Sequence, residues 1–181
     1  MPSWSSTARR IRVPLGFAFA IVYLWLAKPT GHSIAVGACI AALGLTVRAL
    51  ASGHVTKNEQ LTTGGPYAYV RNPLYLGSML IAAGFAVAGL NWWIPGLLVV
   101  MFILIYLPVV RAEEAFLRAT FPEFEAYSSA VPRFFPRFSA FGGKHGTFSW
   151  DLYCKHREYN AVVGTAFMLA AVTAKLLWWT G

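Results

Sequence analysis

Five apolar runs divide the chain: Val13–Ala27, Ile34–Leu50, Tyr75–Leu90, Trp92–Val110 and Ala161–Trp179. Several are somewhat shorter than the roughly 20 residues that cross a bilayer unaided, so flanking residues must extend them. The third and fourth runs are joined through "GLNWW". A connection that short forces an antiparallel hairpin, and its two tryptophans suit a membrane interface. The pattern predicts an all-α integral membrane protein of about five transmembrane helices in a single membrane domain, residues 1–181. The first two spans occupy 1–53, the hairpin core 54–138, and a linker with the last span 139–181. Arg9, Arg10 and Arg12 ahead of the first run raise the alternative of a signal peptide. No small-x-small cleavage site follows, only "LWLAKPTG", so the run is read as a span.

Composition agrees with that pattern: 57% of residues are hydrophobic and 12% charged, against about 25% charged in soluble domains. The net charge of +8 carries no Lys/Arg run or nucleic-acid motif, so nucleic acid is not an expected partner. The basic residues instead set orientation. Of 15 Lys and Arg, three precede the first span, three lie at or between the second and third, and seven fall between the fourth and fifth. Only Lys28 and Lys175 remain for the other side. The N-terminus is thus expected on the cytoplasmic face and the C-terminus on the opposite one, where Lys175 snorkels to the interface. Cys39 and Cys154 suggest neither a disulfide nor a metal site.

The hairpin brings its two open ends, Arg71–Tyr75 and Arg111–Glu114, out on the cytoplasmic face. The first lies in "HVTKNEQLTTGGPYAYVRNPLYLGSML", residues 54–80. Gly64, Gly65 and Pro66 mark a turn, and Pro73 suits the first turn of a span whose N-terminal N–H groups attract an anionic group. The second lies in "VVRAEEAFLRATFPEFEAYSSAVPRFFPRF", residues 109–138. Glu113 and Glu114 are costly in lipid unless paired with a cation. Phe116, Leu117, Phe121 and Phe124 read as an interfacial helix broken at Pro122, with Tyr127 in the lid beyond it. Any one of these arginines could be a plain interfacial anchor. Two arginines, two glutamates and a Gly-Pro turn at one hairpin mouth point to a site. His54, His145 and His156 show no ligand spacing, and "AFGGKHGTF" is read as a flexible turn. "WDLYCKHREYN" is expected to begin the last helix, capped by Ser149.

Together, "GPYAYVRNPLYLG" and "RAEEAFL…F…Y…VPRF" resemble the isoprenylcysteine carboxyl methyltransferase and phospholipid methyltransferase group, small membrane enzymes that use S-adenosylmethionine. The resemblance covers residues 54–136. It implies that Lys57, Leu61, Thr62 and Thr63 line a cofactor pocket with Tyr67, which follows Gly65 in the family's Gly-x-Tyr, while the loop of Arg71, Asn72, Pro73, Leu74, Tyr75 and Gly77 holds the methionyl part. It implies that Glu113 and Glu114 grip the amino or sulfonium side, and it makes Arg111 a candidate for a substrate carboxylate or phosphate. Arg71, Arg111 and Glu113 are thus the candidate catalytic residues. Asn72 stands where the family usually has His; its amide donates a hydrogen bond but cannot act as a base near neutral pH. Pro122 stands where the family usually has Gly.

The residue types match that cofactor's chemistry: a helix N-terminus or arginine for a carboxylate, glutamates for an ammonium, tyrosines for a cation and an adenine ring. No strand followed by a glycine-rich loop suggests a soluble dinucleotide-fold methyltransferase. The expected acceptor is a lipophilic small molecule or lipid, with membrane lipids as further partners. Two other readings stand beside this one: a sterol-reductase-like nicotinamide enzyme built on a similar hairpin, and a non-enzymatic membrane scaffold.

Overall fold

The structure, a computed structural model, describes residues 4–56, 60–142 and 146–180. The protein is all-helical, with 74% of residues in helices and no strand among the described residues. In chain order the helices are α1 (Trp4–Leu26), α2 (Gly31–Ser52), α3 (Pro73–Gly89), α4 (Trp93–Met101), α5 (Leu107–Thr120), α6 (Phe124–Ala130), α7 (Trp150–Lys155) and α8 (Tyr159–Thr180). A 3₁₀ turn covers Gly65–Ala68, and a π-helical turn, Phe102–Tyr106, joins α4 to α5. Among the described residues, three helical stretches are long and apolar enough to cross a membrane: Gly31–Ser52, Trp93–Thr120 and Tyr159–Trp179. Pro14–Leu26 and Pro73–Gly89 are shorter apolar helices. Each of these falls on one of the five apolar runs.

The chain divides into two compact units, each drawn from several segments. The first comprises Met1–Ala41, Ala82–Glu114 and Gly164–Gly181. Its core is Tyr23, Ala27, Ile94 and Val172, with Phe85, Leu98 and Met168 against them. The Tyr23 hydroxyl donates to Phe85 O at 3.0 Å, so the one polar atom of that ring is satisfied. Helices α2 and α3 touch backbone to backbone here, because a β-carbon on Gly84 would lie 2.5 Å from Gly37 O. The α3–α4 turn is fastened to the end of α1: Asn91 Nδ2 donates to Leu26 O at 2.8 Å and Lys28 N to Gly89 O at 2.8 Å.

Lys175 is tied to the end of α1. Its ammonium donates to Leu24 O (2.6 Å), Trp25 O (3.1 Å) and Ala27 O (2.7 Å), and lies 5.7 Å from the centre of the Trp179 ring. The last carbonyls of α1 lack intrahelical donors and carry the negative end of the helix dipole, so they attract the ammonium. The ends of α1 and α8 therefore lie together, beside the exposed Trp25, Trp178 and Trp179.

The second unit comprises Ala42–Ile81 and Ala115–Val163. Here α2 and α3 cross at Gly44 and Gly77, where a β-carbon on Gly44 would meet Gly77 O at 2.6 Å. Phe124, Tyr127 and Val131 form the core, with Leu61, Leu117, Phe121 and Phe141 packed around them. This corrects the reading of an interfacial helix. The chain does break between α5 and α6, around Pro122, but Leu117, Phe121 and Phe124 turn inward and Tyr127 is buried; Phe116 stays exposed. The break folds α6 back so that its apolar face packs against α5.

Ser149 caps α7 as expected, its Oγ accepting from Leu152 N at 3.3 Å. The last helix does not begin there. Arg157 has φ +53°, a left-handed conformation that ends α7, and α8 starts at Tyr159. His54 and His156 are backbone clips: His54 bonds Leu50 O (2.7 Å) and Gly146 O (3.0 Å), and His156 bonds Ser52 O (3.1 Å). His145 and the centre of "AFGGKHGTF" lie outside the described residues.

Candidate functional site

The start of α3 is the most tightly organised part of the second unit. Pro73 is buried at the first helical position, where its missing N–H costs nothing and its fixed φ suits the helix. The ladder begins one step earlier, with Leu76 N donating to Asn72 O at 3.0 Å. Asn72 thus serves as a backbone cap, while its amide Nδ2 reaches Arg133 O at 3.4 Å.

The preceding turn owes its course to two features. Gly65 has φ +55°, which glycine adopts without steric cost, and a β-carbon there would strike the His54 ring. Tyr67 then points into the core, and the Tyr127 hydroxyl donates to Tyr67 O at 2.7 Å across a buried contact.

A second strip of backbone runs alongside residues 68–72. Arg71 N donates to Pro132 O (2.9 Å), Arg137 N to Tyr69 O (3.0 Å) and Phe141 N to Ala68 O (3.0 Å). The expected site segment is therefore clamped along its length by the segment that carries "VPRF". From below, Arg48 of α2 reaches the first turn of α3. Its guanidinium donates to Ser78 Oγ (2.5 Å) and Leu74 O (3.4 Å), and forms a two-pronged pair with Glu158 (3.0 and 2.8 Å). Gly77 makes room, since a β-carbon there would lie 2.6 Å from Arg48 Cγ. Sequence reasoning counted Arg48 only as an inside charge and gave Glu158 no role. The two lie 110 residues apart, and neither stands in a motif.

Beside this segment is a cavity of about 490 Å³ lined by Gln60, Leu61, Thr63, Phe121, Glu123 and Tyr127, with Ala126 and Phe141. That volume is within the roughly 300–1,000 Å³ usual for small-molecule sites. Its walls combine aromatic rings with one carboxylate and one amide.

The expected site residues fall into two groups. Leu61, Thr62, Tyr67, Arg71, Asn72, Pro73, Leu74 and Tyr75 all belong to the second unit. Arg111, Glu113 and Glu114 close the first unit on α5, with Glu114 buried and Arg111 and Glu113 exposed. Lys57 lies outside the described residues. The π-helical turn Phe102–Tyr106 precedes Pro108, which has no N–H to give its helix. The wider turn rotates everything after it, so Arg111 to Glu114 face a direction that a continuous α-helix would not give them.

The family described as phospholipid methyltransferase matches residues 17–123. Over 119 residues, 66% of this chain and 54% of the relative, the sequence is 32% identical to the cobalt-zinc-cadmium resistance protein CzcN of Cupriavidus metallidurans. Over 85 residues, 47% of this chain and 40% of the relative, it is 36% identical to the nickel-cobalt-cadmium resistance protein NccN of Alcaligenes xylosoxydans xylosoxydans. The chain thus spans about half the length of the curated relatives it matches. No solved structure matches it.

Proposed function

The chain belongs to the phospholipid methyltransferase family, and from that premise we propose that it transfers a methyl group from S-adenosylmethionine to a lipophilic, membrane-partitioned acceptor. The observation that carries this reading is the extent of the family match, residues 17–123, which takes in the apolar hairpin and both of its polar ends. The metal-resistance titles belong to the two relatives and identify no methyl acceptor.

The residues present fit the cofactor. The cavity offers rings for a purine and the Glu123 carboxylate for ribose hydroxyls, and Leu61 on its wall is one of the expected pocket residues. The N–H groups of the first turn of α3 and the arginine next to them, Arg71, suit a carboxylate. Glu114, buried on α5, is suited to an ammonium. When bound, the cofactor supplies an electrophilic methyl group on a sulfonium, and transfer releases the thioether. The chain's own task is alignment: it must hold the acceptor's lone pair in line with the breaking bond and keep water out. An acceptor that arrives ionised needs no base, which is compatible with Asn72 at the position where the family has His.

Calorimetric binding of S-adenosylhomocysteine to the detergent-purified protein tests the reading. Micromolar binding is expected. Arg71→Ala and Glu114→Ala should each weaken it by about tenfold or more, as loss of a hydrogen bond to a charged group is worth about 1.5–3 kcal/mol. Unchanged binding in both variants would remove these residues from the site. Absence of binding by the folded wild-type protein would remove the cofactor.

A further inference from the structure

The loop from Val131 to Phe141 displays two phenylalanines that the proposed reaction does not use. Phe135 is 83% exposed and Phe138 is 107% exposed. Isolated apolar residues on a surface are ordinary, but these two sit on a loop that cannot fold back to hide them. Its backbone is tied at Pro132, Arg137 and Phe141 to residues 68–72. Pro132 and Pro136 fix two of its φ angles. Arg137 turns its guanidinium onto Ala130 O (3.1 Å) and Ser139 Oγ (3.0 Å), which closes the loop on itself. The result is a loop held in place that leaves two large rings exposed.

The charges around those rings have one sign. Between Glu125 and Asp151 the chain has no acidic residue, and it has Arg133, Arg137 and Lys144. Exposed aromatics flanked by basic residues match a membrane interface, where rings enter the boundary between headgroups and acyl chains and the cations meet phosphates. By the distribution of Lys and Arg, this loop belongs to the expected cytoplasmic face, where anionic lipid concentrates.

We propose that the Val131–Phe141 loop is a membrane-contacting surface whose partner is the anionic phospholipid interface, with Phe135 and Phe138 seated below the headgroups. This holds whatever the methyl acceptor is. It gives the clamp on residues 68–72 a second meaning, because the strip that fixes the site segment is then itself held by lipid.

The test places a nitroxide at Phe138→Cys and, separately, at Phe135→Cys, in a Cys39→Ala/Cys154→Ala background. Each variant is reconstituted in nanodiscs of phosphatidylcholine with phosphatidylglycerol and in nanodiscs of phosphatidylcholine alone. In the anionic discs both labels should collide with oxygen more than with a water-soluble nickel chelate, at a depth of about 5–10 Å. Immersion should be shallower in the neutral discs. Water-like accessibility at both positions would overturn the proposal. Equal immersion in the two lipids would overturn the anionic partner. Protection from both colliders would mean that protein covers the loop, and would replace lipid with a second copy of the chain. The two positions give independent readings if one variant fails to fold. No cofactor enters the measurement, so its failure leaves the reaction untouched.

Discussion

Arg48 sets one guanidinium against four oxygens, from Glu158, Leu74 and Ser78, and so ties α2, the start of α3 and the lead into α8 together. The Arg48 and Glu158 side chains are only 23% and 11% exposed. Removing one partner of such a pair leaves a charge without compensation, at a cost of about 3–5 kcal/mol when fully buried. Glu158→Ala should therefore lower the thermal midpoint in detergent clearly, with a loss toward the lower end of that range. Glu125→Ala is the natural comparison. Its pair with Arg118 is 54% and 72% exposed, so the loss should be about 0–1 kcal/mol. Equal losses would mean that burial is not what gives the Arg48 pair its weight. Little of this was legible in the sequence. Tyr127 read as part of a lid because Tyr67, whose carbonyl it satisfies, lies 60 residues away. Hydrophobic periodicity reports which residues are apolar, not which distant carbonyl a hydroxyl will meet.

Helices α2 and α3 meet along small residues, Gly37 with Gly84 in one unit and Gly44 with Gly77 in the other. At Gly44 an added β-carbon would meet a backbone carbonyl at 2.6 Å, and backbone cannot move aside as a side chain does. Gly44→Ala should force the helices apart and lower the melting temperature. Gly164→Ala, on α8, meets nothing within 4 Å. It should be neutral or stabilising by about 0.5–1 kcal/mol, since alanine loses less chain entropy than glycine in a helix. Destabilisation by both would point to a generic effect of glycine in these helices. Element boundaries marked by special residues were legible: the start of α3 at Pro73, the cap at Ser149, the break around Pro122. The break at Arg157 was not, because a left-handed arginine carries no signal in the sequence. The π-helical turn ahead of Pro108 was missed too, as apolar residues fill it as evenly as they fill the helix on either side.

At the scale of the whole chain, basic residues are spread unevenly over the connections between the apolar runs. The uneven distribution of basic residues predicts a common face for the N-terminus and residues 111–158. Cys154 is an exposed thiol in that stretch, so a membrane-impermeant maleimide should modify it from the face that carries the N-terminus. Modification from the opposite face would invert the expected topology and, with it, the side from which the proposed cofactor would arrive. The apolar helices were legible because apolar length is a property of each segment alone, and a described helix falls on each of the five apolar runs. The clamp at the end of α1 was not. Leu24, Trp25 and Ala27 receive their donor from Lys175, 148 residues beyond Ala27. During synthesis the final carbonyls of α1 therefore wait for that donor until the last helix has emerged from the ribosome. That contact is a late event in biogenesis, and a chain arrested upstream of α8 would leave the end of α1 without it.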